Sequence, residues 1–141
     1  MNTYRGYSTA NGGMFVLMNA VRESLERRGF GIGCTREQVA YVLAHGQPYE
    51  GSPRPKGQRQ RAARSCFRTA TSYVLSHPDH LYCEGFGSSE FGPIHHAWVL
   101  SPGGTVIDLV WPDPENQSYF GVPFTIKEMA DRLFDGREVL S

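Results

Sequence analysis

The 141 residues suffice for one domain of ordinary size, expected to span residues 1–141, and 14 basic and 14 acidic side chains cancel to a formal charge of zero. With 40% apolar and 20% charged residues, this composition argues against a disordered tail, a nucleic-acid partner drawn by net charge and an anionic membrane surface. Residues 1–13 lack the basic flank and apolar run of a secretory signal, and no stretch approaches the ~20 apolar residues of a bilayer span, so a cytoplasmic protein with no membrane partner is expected.

In chain order, Met14, Leu17, Met18, Val21 and Leu25 recur at helical spacing and Gly29 follows as a left-handed cap, which predicts a helix over residues 14–28. Thr35 and Gln38 form a capping-box signature ahead of Val39, Val42 and Leu43, predicting a second helix over residues 36–45. The density of Pro and Gly over residues 47–57 predicts an irregular loop. It leads into a basic block, Arg54, Lys56, Arg59, Arg61, Arg64 and Arg68, with no acid between Gly51 and Pro78; the block reads as solvated surface or as the wall of a cleft for an acidic ligand. Ser65 stands as N-cap before Cys66, Phe67, Ala70, Tyr73 and Val74, which predicts a third helix starting at Cys66 and ending at His77-Pro78.

Beyond that helix, short β-prone runs over residues 81–84, 95–100, 105–110 and 119–122 predict an antiparallel sheet, with a turn at Ser101-Pro102-Gly103-Gly104. Residues 84–93 read as a recognition loop carrying Phe86 and Phe91, expected to wall a substrate cleft with Arg64 and Trp98. Thr125 with Glu128 repeats the capping box, and Ile126, Met129, Ala130, Leu133 and Phe134 predict a last helix closed by Gly136. Helices, then a sheet, then one helix define an α+β fold with N-terminal helices packed on a small antiparallel sheet.

The cysteines Cys34, Cys66 and Cys83 fit neither a disulfide framework nor a metal-finger spacing, so at least one thiol is free. Cys66 is the one placed at a helix start, beside the partial positive charge and free amides of that terminus, with Arg64 and Arg68 adding charge. Its own N–H is a natural donor to an oxyanion. Cys34 and Cys83 read as structural. The strands bearing His95, His96 and Asp108 supply a base and a carboxylate to orient it, and an acid among Val106, Ile107, Leu109 and Val110 calls for a partner. A three-residue turn places His96 diagonal to Asp108 on one face, whereas a two- or four-residue turn places His95 there.

Cys66 at a helix start, His96-Ala97-Trp98 on a strand, then a turn and Asp108 with Trp111-Pro112 soon after: this order resembles the transglutaminase-like branch of the papain-like superfamily, which includes the arylamine N-acetyltransferases and small bacterial or phage hydrolases. The resemblance covers residues 65–112 and favours His96 over His95; Leu109-Val110 follow Asp108 where the family has Pro-Thr. It implies a papain-like domain and a cysteine-nucleophile hydrolase or acyl transferase with a Cys66-His96-Asp108 triad, no cofactor, and a protein, peptide or acyl-donor substrate, acidic if the basic block lines the cleft. It also implies Gln60, six residues before Cys66, as a second oxyanion donor beside the Cys66 N–H, and Gln58 is an equally reachable amide.

Two rival readings stand beside this one. A zinc site drawn from Cys83, His95 and His96, with His80, suffers from adjacent strand histidines pointing to opposite faces. A non-catalytic protein-binding module would use residues 84–93 and the basic block without making or breaking a bond.

Overall fold

The structure, a computed structural model, describes residues 34–89, 92–134 and 139–140, together with Asn19. The helix predicted over residues 14–28 lies outside them apart from Asn19, as do Gly29, Phe91 and Gly136.

Three α-helices occur among the described residues. The first, α1 (Arg36–His45), starts on a complete capping box: Gln38 N–H donates to Thr35 Oγ1 at 3.1 Å and Thr35 N–H to Gln38 Oε1 at 3.0 Å. The second, α2 (Cys66–Ser76), begins where the sequence places it and stops at His77 before Pro78. The third, α3 (Ile126–Phe134), repeats the box, with Thr125 N–H to Glu128 Oε1 at 2.8 Å and Glu128 N–H to Thr125 Oγ1 at 3.1 Å.

A five-stranded antiparallel sheet carries the order β1-β5-β2-β3-β4, from β1 (Gln47–Glu50), β2 (Leu81–Ser89), β3 (Gly92–Leu100), β4 (Val106–Ile107) and β5 (Ser118–Phe124). The fold is therefore α+β. Four details differ from the expectation. Residues 47–50, read as loop, form an edge strand on β5, where Pro48 is tolerated because only one side of the strand is paired. Residues 84–89, also read as loop, continue β2 in an unbroken ladder with β3 from Leu81↔Leu100 to Ser89↔Gly92. The strand expected over residues 105–110 shrinks to Val106–Ile107, because Asp108 Oδ1 accepts from the N–H groups of Val110 (3.0 Å) and Trp111 (3.2 Å) and turns the chain out of the sheet. Ser65 takes the N-cap position, but its hydroxyl donates to Ala62 O (2.6 Å) and meets Thr69 Oγ1 (2.9 Å) instead of capping α2.

The two faces of the sheet carry separate apolar clusters. The larger joins Val39 and Val42 of α1, Ala70 and Val74 of α2 and Met129 of α3 to Tyr82, Phe86, Ala97, Phe120 and Val122. The smaller, on the opposite face, holds Cys83, Trp98, Leu100, Val106 and Tyr119, with Trp111 against it. Glycine makes room for its rings: a Cβ on Gly121 would lie 2.6 Å from Trp98 Cη2, and one on Gly87 would collide with the Trp111 ring.

Candidate active site

Val99 pairs with Ile107 and Leu100 with Val106, and Ser101 N–H donates to Thr105 O at 2.9 Å, which is the register of the three-residue turn. His96 and Asp108 thus fall on the same face, and His96 Nε2 lies 2.8 Å from Asp108 Oδ2, both residues 1% exposed. The same carboxylate oxygen accepts the Tyr119 hydroxyl at 2.8 Å, while Oδ1 takes the two backbone N–H groups of the turn. Every lone-pair region of Asp108 is engaged, so its charge is fixed in position. Trp111 stacks on the His96 ring with centroids 3.9 Å apart and 16° between planes, which holds the ring orientation.

With Nε2 committed to Asp108, Nδ1 is the ring nitrogen left for another partner, and the Cys66 thiol lies near enough to His96 to contribute to its pKa. Burial, the largest influence, lowers the His96 pKa, but the hydrogen bonds and charges of Asp108 and Cys66 outweigh it and raise the value from 6.5 to about 9. Burial likewise pushes the Asp108 carboxyl up, and the bonds from His96, Val110 and Tyr119 bring it below its ordinary value. The short β4 makes this meeting possible. It pairs with β3 only at Val99 and Leu100, so the edge of β3 nearer His96 is open, and the start of α2 sits against Ala97, Trp98, Asp108 and Val110 there.

Cys66 itself is 7% exposed at the first position of α2. The Ser65 side chain does not cap that terminus, which leaves N–H groups of its first turn, Cys66 included, for an oxyanion. The approach is tightly built: Arg64 adopts a φ of 67°, a left-handed conformation uncommon for a residue with a Cβ, just ahead of the nucleophile position. Space against Cys66 amounts to about 10 Å³, roughly one water.

The remaining expected site residues fall in different places. Gln60 lies on the exit of β4, with Nε2 donating to Val110 O at 2.9 Å, and Gln58 Oε1 accepts from Arg61 at 3.0 Å. One amide hydrogen of Gln60 therefore pins its loop to the Asp108 turn. Arg64 is exposed beside Cys66. Phe86 does not wall a cleft, being 0% exposed in the larger core cluster, whereas Trp98, 1% exposed in the smaller one, borders only the narrow space at Cys66. The reason is the unbroken β2–β3 ladder: Phe86 alternates with Gly85 and Gly87 and points to the helix side of the sheet, whereas Trp98 packs on the opposite face against Tyr119 and Gly121. Phe91 lies outside the described residues.

His95 has its own partner. Its Nε2 lies 2.6 Å from Glu84 Oε2, and Glu84 Oε1 accepts the Tyr82 hydroxyl at 2.6 Å. The sequence reading gave Glu84, at the boundary of the strand over residues 81–84 and the loop over residues 84–93, no role, and missed Tyr119 and Trp111 as partners of Asp108 and His96. The signal for Tyr119 was present: a phenol on a strand that alternates into a buried face needs an acceptor.

Cys34, Cys66 and Cys83 form no disulfide, and burial pushes Cys83 well above the ordinary thiol range. Among the described residues no group of three His, Cys, Asp or Glu side chains is arranged to hold a metal ion, and no helix is long and apolar enough to cross a membrane. The chain matches no protein-family profile, no curated protein and no solved structure.

Proposed function

We propose that this chain is a cysteine-nucleophile hydrolase or acyl transferase of the papain-like, transglutaminase-like kind, acting on an amide, isopeptide or thioester bond. The observation that carries the reading is the line Cys66, His96, Asp108: a thiol at a helix start, near an imidazole whose Nε2 is held by a buried carboxylate. In the reaction His96 takes the Cys66 proton and the sulfur attacks the substrate carbonyl. The oxyanion is met by the Cys66 N–H, and His96 returns the proton to the leaving amine, alcohol or thiol as the thioester forms. Water or an acceptor nucleophile then gives its proton to His96 and resolves the thioester, regenerating the thiol.

The small exposure of the triad favours a second reading, a non-catalytic binding module on the same scaffold. Profiling with acyl and peptide electrophiles, followed by mass mapping, separates the two. Stoichiometric adducts on Cys66, lost in the His96→Ala variant, support the enzyme; adducts spread over Cys34 and Cys83, or none, support the module.

A further inference from the structure

Next to the space at Cys66 opens a cleft of about 390 Å³, and the two share Thr69, Tyr73 and Leu109 as walls. The nucleophile's own space is too small for a substrate, so this adjoining cleft is where the chemical group next to the reacting carbonyl has room to sit. Its lining runs along the flank of α2 and is polar and cationic. Arg61 and Arg68 border it, Ser72 and Ser76 follow Arg68 along the helix at intervals of four residues, and His77 closes the far end.

Among the described residues no acidic side chain lines the cleft. Arg61 is steadied from the loop side, Nη1 donating to Arg59 O at 2.5 Å and Nη2 to Gln58 Oε1 at 3.0 Å, both of them neutral acceptors. Neither arginine forms an ion pair with a carboxylate among the described residues. His77 is held through Nδ1 to Tyr73 O at 2.9 Å and stacked on Tyr73 with centroids 4.0 Å apart, so the aromatic wall is rigid. Two guanidiniums without acids among the described lining residues, with the serines of the helix flank in the same cleft, form a receptor for an anionic oxygen group. Phosphate sites commonly add backbone amides at a helix N-terminus, whereas this lining runs along the helix side from Arg68 to His77, away from the terminal amides.

We infer that the cleft bordered by Arg61, Arg68 and His77 binds an acidic side chain, a glutamate or aspartate carboxylate, of a peptide substrate beside the bond acted on at Cys66. This rests on the catalytic reading above and names its substrate class. The test uses the full chain and two peptides, acetyl-tetraglutamate amide and acetyl-tetraglutamine amide, scored by calorimetric titration and by protection of Cys66 from iodoacetamide. Tetraglutamate is expected to bind and protect at concentrations about tenfold lower than tetraglutamine. That preference should vanish in Arg61→Gln/Arg68→Gln and shrink as salt screens the pair. Equal titrations for the two peptides, or a preference unchanged in the double variant, overturn the inference. Inorganic phosphate binding more tightly than tetraglutamate overturns the carboxylate in favour of a phosphate. Because calorimetry does not need a reactive thiol, a glutamate preference without selective labelling of Cys66 would sink the catalytic reading while leaving the anion cleft standing.

Discussion

His95 and His96 are neighbours on β3, and each places Nε2 against a buried carboxylate, Glu84 at 2.6 Å and Asp108 at 2.8 Å. They stand on opposite faces of one sheet. His95 lies on the helix side, with its ring 4.8 Å from that of Phe67, and its acid, which also accepts the Tyr82 hydroxyl, lines a cleft of about 380 Å³ with it. His96 lies on the side of Trp111 and Tyr119, and its acid sits at a chain turn that opens the sheet edge to the start of α2. A histidine–carboxylate pair by itself is a structural ion pair. What distinguishes the second pair is the nearness of His96 to a thiol at the start of a helix.

The largest expected break is Cys66→Ala, which removes the only atom able to form the thioester. Adduct formation and turnover should disappear while the thermal midpoint stays close to the parent's, because a first-turn residue loses one small atom. Turnover surviving in that variant contradicts the mechanism. Next comes Asp108→Asn, which keeps the shape but removes the charge that fixes the imidazole tautomer and stabilises the imidazolium, so the rate of Cys66 acylation should fall by roughly 10²–10⁴. A normal rate with a collapsed melting curve would assign Asp108 to the turn alone.

The comparison is sharpened by stability. His95→Ala leaves the Glu84 carboxylate, 3% exposed, without its histidine and should cost about 1–3 kcal/mol in denaturant unfolding while changing Cys66 chemistry little. A pH series adds the opposite pair. Because the His96 pKa is raised on folding, the stability it contributes is fully present below pH 6.5 and is lost as pH rises from there through about 9. Asp108, held below its ordinary value, contributes above the normal carboxylate range and loses that contribution in acid. The parent's midpoint should therefore fall from pH 6.5 to 9 more steeply than that of His96→Gln, and parallel curves would show that His96 does not titrate as part of the pair. The smallest effect is expected from Tyr119→Phe, which removes one of the four hydrogen bonds to Asp108 and should cost about 1 kcal/mol and a modest fraction of the rate.

Much of this site was legible locally. The capping boxes at Thr35 and Thr125 set two helices through side chains three residues apart, and the start of α2 at Cys66 was legible in the apolar spacing behind it, although Ser65 ahead of it does not cap through its hydroxyl. The hairpin register was narrowed to two parities but not decided by local chemistry, since either parity keeps one face apolar. What escaped the sequence reading depends on distant partners. Gly85 and Gly87 look like loop residues, yet Gly87 is small because the Trp111 ring lies over it, and that contact bridges 24 positions. Taking this stretch as loop exposed Phe86 on paper and hid Glu84, although both belong to the buried alternation of β2. Asp108 was read as a strand residue needing a partner; its second job, ending the strand through the Val110 and Trp111 amides, is what opens the edge for Cys66.

The most direct test of the central claim is the iodoacetamide alkylation rate of each cysteine, mapped by mass spectrometry at neutral pH in the parent, His95→Ala and His96→Ala proteins. The account predicts that Cys66 reacts far faster than Cys83 in the parent, that His96→Ala slows Cys66 by orders of magnitude, and that His95→Ala slows it a few-fold at most. Equal slowing by the two substitutions, or a parent in which Cys66 reacts no faster than the buried Cys83, would contradict it.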